Sequence, residues 1–176
     1  MSHDNVRMKD DERVKSFLKR FKNNLSYLEP NKLSNKLMEL HESRRYRKLS
    51  PDILMKNFQR KFTDSSMQNS AYRSEVVSIK MRSFKVVSEI DTHLSSLKKY
   101  LKVTYAKEIK LKFSTIAERD NAVDSLFLKV ISYKKDLETV MALCDMLIND
   151  LDATSWSMKD LKGIMELALE KRISTI

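Results

Sequence analysis

The fold turns on residues 116–151, IAERDNAVDSLFLKVISYKKDLETVMALCDMLINDL. Within this stretch Ile116, Val123, Val130, Leu137, Cys144 and Leu151 recur at every seventh position. Leu126 with Phe127, Tyr133, Val140 with Met141, and Leu147 with Ile148 fall between them. A seven-residue apolar period keeps one stripe of an α-helix against another helix along its whole length. The doubled positions make that stripe wider than a two-stranded seam requires, so further helices or other copies of the chain are expected to cover it. Val123, Val130, Leu137, Met141 and Ile148 are the expected self-association residues. Leu161 and Met165 join them from a last amphipathic helix, set off by the polar stretch from Asn149 to Ser157 around Trp156.

Just before the heptads, Thr115-Ile116-Ala117-Glu118 has capping-box spacing, in which a hydroxyl and a carboxylate each satisfy a free backbone N–H. A helix therefore starts there. Upstream, Val77, Met81, Phe84, Val87, Ile90, Leu94, Leu97, Leu101 and Tyr105 step by three or four with no Gly or Pro between them. This predicts a second long helix, whose end is blurred by the strand-like alternation from Lys107 to Phe113. Two long helices joined by a turn near Ser114 fold into an antiparallel hairpin. The fold class expected is all-α, a long antiparallel helical hairpin with a C-terminal helix and an N-terminal region of short helices.

That N-terminal region divides into three. Val14, Phe17, Leu18, Phe21, Leu25 and Leu28 share one stripe of a helix opened by Asp10 and Asp11 and closed before Pro30. Leu33, Leu37 and Leu40 mark a second. Ser50 and Pro51 read as N-cap and first position of a third, with Ile53, Leu54, Phe58 and Phe62 on its apolar face. The polar run from Thr63 to Ser70 reads as a linker, separating a region of residues 1–70 from the hairpin of 71–176.

Composition narrows the function. The 176 residues include 34 Lys or Arg against 24 Asp or Glu, one Gly, two Pro and one Cys. A phosphate cradle needs several glycines where backbone N–H groups approach a ligand, and Gly163 has no companion, so P-loop and dinucleotide-binding chemistry are not expected. His3, His41 and His93 are far apart in sequence and Cys144 lies on the apolar stripe, so no metal, cofactor or catalytic group is expected. No apolar run reaches the ~18 residues that span a bilayer, no signal core stands at the start, and one cysteine suits a reducing compartment. A cytoplasmic protein without a membrane partner is the expectation.

The charge is uneven. Residues 1–62 carry 16 basic and 8 acidic side chains, residues 63–113 carry 10 and 5, and residues 114–176 reverse to 8 and 11. A polyanion is expected to meet the first two thirds. The richest run holds Lys98, Lys99, Tyr100, Lys102, Lys107, Lys110 and Lys112. Lysines there replace condensed counterions, and Tyr100 offers a ring for an unstacked base, which favours single-stranded nucleic acid. Arg44, Arg45, Arg47 and Lys48 around Tyr46 form a second candidate patch. The alternative is a helical virion, scaffold or adaptor protein whose basic face meets an acidic protein.

From about Tyr72 to Arg172 the order of parts resembles the UvsY-type recombination mediators of T-even-like bacteriophages. A long helix ends in a Lys-rich, Tyr-containing run, a turn follows, and the next helix opens on Glu118-Arg119-Asp120. A final segment begins Trp156-Ser157-Met158-Lys159-Asp160-Leu161. The resemblance implies a homo-oligomer in the host cytoplasm that binds single-stranded DNA and helps a recombinase displace single-strand-binding protein. It places the DNA contacts on Lys98, Lys99, Lys102, Lys107, Lys110 and Lys112. The family's Tyr-Tyr-Ser-Gly turn is replaced here by Lys112-Phe113-Ser114-Thr115, and the region to about Ser70 has no counterpart.

Overall fold

The computed structural model describes residues 5–44 and 57–173. Its helices are α1 (Asn5–Asp10), α2 (Glu12–Arg20), α3 (Pro30–Glu42), α4 (Phe58–Thr104), α5 (Ala106–Lys112), α6 (Ile116–Asp124) and α7 (Leu128–Ile173). A π-helical turn at Phe21–Leu25 follows α2, and a 3-10 turn at Ser125–Phe127 links α6 to α7. The described residues contain no strand, so the chain is all-α, built on two long helices. They form two compact units that interleave in sequence. One joins the chain up to Asn31 with Met81–Val140, and the other joins Lys32–Lys80 with Met141 onward.

In the first unit the later half of α4 runs antiparallel to α6 and the start of α7. Stepping back along α4 from Lys102 to Lys98 to Asp91 matches a step forward from Asp120 to Asp124 to Lys134, at 2.6, 2.7 and 2.6 Å. Between these pairs Ile90, Leu101, Val123, Phe127, Val130 and Leu137 are fully buried. Tyr105 (φ −103°, ψ 21°) marks a bend between α4 and α5, across which four-back backbone bonds continue, and the helical path breaks at the extended Phe113 (φ −122°, ψ 122°) before α6. The Thr115–Glu118 capping box is present in both directions and opens α6. The alternation from Lys107 to Phe113, strand-like in sequence, belongs to α5, with Ile109 buried and Lys107, Lys110 and Leu111 on the exposed side.

Helix α2 lies across this hairpin. Asp11 caps it, accepting from the Arg13 and Val14 N–H groups at 2.8 and 3.4 Å. Phe17 packs edge-on against Phe127 (centroids 5.9 Å, 73°), and Phe21 does the same against Tyr133 (5.4 Å, 78°). The Tyr133 hydroxyl donates to the Leu25 and Leu28 carbonyls at 3.2 and 3.0 Å, among the groups a helix end leaves unpaired. Tyr133, on the heptad stripe, is therefore what fixes the exit of the α2 segment.

The second unit repeats the antiparallel pairing with other residues. Lys80 meets Asp145 at 2.5 Å and Arg73 meets Asp152 at 2.8 Å. The heptad series continues past Leu151 to Met158 and Met165, both buried, with Phe62 and Leu161 packed against them. Two polar stretches that read as breaks are helical. Residues 63–70 lie inside α4, where Ser65 and Asn69 turn inward and donate to the Met158 sulfur at 3.4 and 3.5 Å. Residues 149–157 lie inside α7, where the Thr154, Ser155 and Ser157 hydroxyls donate to carbonyls four residues back. Polarity alone does not end a helix when no Gly or Pro intervenes and each hydroxyl has a carbonyl within reach. The C-terminal helix is thus the continuation of α7.

Arg44 anchors the end of the α3 segment in this unit. Its side chain is 2% exposed and pairs with the half-exposed Asp150. Asn69 and Thr154 accept further bonds from it at 3.4 and 3.3 Å. A buried guanidinium is stable only while it is paired. Asp150→Ala is expected to lower stability by about 3 kcal/mol, whereas Asp145→Ala, which breaks a surface pair, should cost less than about 1 kcal/mol. Urea unfolding of the two variants checks the difference, and equal losses would contradict it.

Candidate nucleic-acid interface

The seven residues of the basic run all lie in the first unit, but they do three different jobs. Lys98 and Lys102 are neutralised by Asp124 and Asp120 across the hairpin. Lys99, Lys107 and Lys110 are exposed, and no acid among the described residues pairs with them. Lys112 is exposed and its ammonium lies 6.0 Å from the centre of the Phe113 ring. Tyr100 is half-buried, with the Arg13 guanidinium 4.1 Å from its ring centre and its hydroxyl donating to Asp11. The ring face expected to receive a base is covered on that side by a cation from its own chain.

Asp11 gathers more than a helix cap needs. One carboxylate oxygen takes the two backbone N–H groups, and the other accepts from the Tyr100 and Tyr105 hydroxyls at 3.1 and 3.0 Å. Burial raises the carboxyl's pKa, but the bonds from Arg13, Tyr105, Tyr100 and Val14 outweigh it and hold Asp11 below the usual carboxylate range. Burial first, then the bond to Asp11, pushes the Tyr105 phenol up. The aromatic residues of the basic run thus tie the start of α2 to the end of α4. Sequence reading assigned Tyr105 to packing and Tyr100 to a ligand, and had no signal for a shared acceptor about ninety residues away.

Of the second patch the structure describes Arg44 alone. Arg44 is buried in its ion pair, so its guanidinium faces the protein interior, and Arg45, Arg47 and Lys48 lie outside the described residues. The residues expected to hold subunits together are largely occupied within the chain. Val123, Val130 and Leu137 are fully buried and Met165 nearly so, while Met141, Ile148 and Leu161 keep partial exposure. Large apolar side chains that remain exposed include Met81, Phe84, Leu111, Trp156, Ile164 and Leu167. Met81 and Phe84 were placed on the core stripe by spacing; the seam there passes instead through Val76 and Ile79 in one unit and Ser83 and Val86 in the other.

Cys144 is buried on the heptad stripe. Burial, with Asp145 adding to it, lifts its pKa to about 11, so the thiolate that nucleophilic chemistry requires is scarce at neutral pH. No helix among the described residues is long and apolar enough to cross a membrane. Sequence reading overlooked Arg13 altogether, as it sits in a helix whose other cations were less specific, and it gave His93 no role. Both line an open groove beside Tyr100. No match to the chain is found among protein-family models, curated proteins or solved structures.

The Asp11 geometry has a pH signature. A carboxyl whose pKa is lowered by folding adds stability that is present above its unfolded pKa, near 4, and fades as pH falls through the folded value. Asp11→Asn is expected to flatten the loss of stability below about pH 4 and to cost about 1 kcal/mol at pH 7, because the amide keeps the cap but its NH2 group cannot accept from the Tyr100 and Tyr105 hydroxyls. Thermal melts of both proteins between pH 2.5 and 7 check this, and parallel curves would refute it.

Proposed function

We propose that the protein is a non-enzymatic binder of single-stranded nucleic acid, which it contacts through the exposed cations of the first unit. The observation that carries this reading is the contrast between neighbouring lysines. Lys98 and Lys102 are cancelled by aspartates of the opposite hairpin arm, whereas Lys99, Lys107 and Lys110 have no counter-charge among the described residues. A lysine already neutralised within the chain adds little to counterion release from a polyanion, while an unpaired one adds a full share. Lys107 and Lys110 are one turn apart on α5, so one strand backbone can engage both.

Service as a recombination mediator that assists recombinase loading rests on the family resemblance. A second reading, that of a helical adaptor, draws on a different feature. Trp156, Ile164 and Leu167 follow one side of α7 in the second unit and are 60–66% exposed. Scattered exposed apolar residues are ordinary, but a tryptophan in line with two aliphatics on one helix face is a common form of protein-docking surface. The two readings are compatible, since a mediator engages both a strand and proteins.

Binding of a labelled oligothymidylate, titrated between about 50 and 300 mM salt, separates them. Strand binding predicts an affinity that falls steeply with salt. Replacing Lys99, Lys107 and Lys110 together by Ala should reduce the log–log slope by about 2, at roughly 0.7 per phosphate contact, whereas Lys98→Ala should leave it nearly unchanged. An affinity indifferent to salt, or a slope equally sensitive to Lys98, would overturn the assignment.

A further inference from the structure

Helix α2 and the later part of α4, both in the first unit, bound an open groove of about 430 Å³. Its volume lies in the range of small-ligand sites. The polar groups that line it have an uncommon property in common. The Arg13 guanidinium rests over the Tyr100 ring but has no hydrogen-bond acceptor among the described residues, and the hydroxyls of Ser16 and Ser96 have no partner among them either. Arg20 lines the same groove. It donates one bond, from Nη2 to Glu89 at 2.5 Å, which leaves its remaining N–H groups open. His93 forms a wall with Phe17, their rings 6.3 Å apart and tilted by 47°.

Two guanidiniums and two hydroxyls, all donors with capacity to spare, face one space over an apolar floor of Phe17 and Leu97. Both cations are held in place. Arg13 is fixed by the tyrosine ring and Arg20 by a glutamate, so little side-chain freedom is lost when an acceptor arrives. The acids nearby do not close the site. Glu12, on the rim, is 91% exposed and 3.9 Å from Lys15, and Glu89 engages one nitrogen of Arg20. Planar guanidiniums with flanking hydroxyls match a tetrahedral phosphoryl group, whose several oxygens accept at once.

We infer that this groove is a phosphate-recognition site sized for one nucleotide, with Arg13 and Arg20 on the phosphoryl oxygens and Ser16 and Ser96 as accessory donors. It lies apart from α5 and does not depend on Lys107 or Lys110. The same chemistry serves a free nucleotide or one phosphate of a strand that continues to the exposed lysines. The second source rests on the reading given under Proposed function.

The test uses the full chain and thymidine 5′-monophosphate, with thymidine as the control lacking the phosphate. Titration is followed on the His93 imidazole proton resonance, assigned with His93→Gln. The monophosphate is expected to shift the resonance and thymidine to leave it unmoved. Arg13→Gln and Arg20→Gln should each weaken the monophosphate by about tenfold or more, with helicity retained by circular dichroism. Arg13→Lys, which keeps the charge and loses the fork, should fall between wild type and Arg13→Gln. No shift, an equal shift with thymidine, or unaltered binding by both glutamine variants would overturn the inference. An oligothymidylate titration of the same variants identifies the source. Monophosphate binding without strand binding makes the groove a free-nucleotide site and overturns the strand reading. Strand binding unaffected by both glutamine variants overturns the groove and leaves the lysine assignment standing.

Discussion

The antiparallel apolar seam between α4 and the α6–α7 arm is the constraint on which the rest depends. Residues at every seventh position from Val123 to Met165 are buried, and so continuous an apolar stripe has to be covered along its length. The seam alone would tolerate slippage, because one aliphatic side chain substitutes easily for another. Charge removes that freedom. Lys102, Lys98, Lys80 and Arg73 on α4 each meet an aspartate of the opposite arm. Each pair is worth little by itself, but together they favour one register, because a shift of one turn leaves most of them unmade.

This pairing gives the uneven charge of the sequence a second meaning. The basic excess before residue 113 and the acidic excess after it are, in part, the two sides of one hairpin. Much of what looks in sequence like a surface waiting for a polyanion is therefore answered inside the chain. What remains for an outside partner includes Lys99, Lys107 and Lys110 near the reversal and the guanidinium of Arg13 against Tyr100, together with further exposed lysines of the first unit such as Lys19, Lys22, Lys85 and Lys129.

How much of this was legible follows from the range of each interaction. The heptad period from Val123 onward, the capping box at Thr115 and the stop before Pro30 are local, and each appears in the fold, whereas Ile116, expected as the first heptad residue, is 75% exposed. Helix continues through the polar residues 63–70 and 149–157, where breaks are expected from composition, because the hydroxyls there bond back to their own helix or face a buried sulfur. The seam between Val77 and Phe84 was displaced because small Ser83 occupies a buried position that a search for large apolar residues passes over. Partners distant in sequence left no trace at all. Nothing near Asp11 announces Tyr100 and Tyr105, and nothing near Arg44 announces Asp150. The candidate site inherits this limit, since which lysines are free depends on aspartates some twenty residues away.

The central claim is that intrachain pairing sorts the lysines into those available to a polyanion and those withheld from it. Residue-resolved acetylation of the full chain, with and without a saturating oligothymidylate, measures that directly. The account predicts strong protection of Lys99, Lys107 and Lys110 on adding the strand, with Lys98 and Lys102 already slow to react and little changed. Protection spread evenly over all five, or none at any of them, would contradict it.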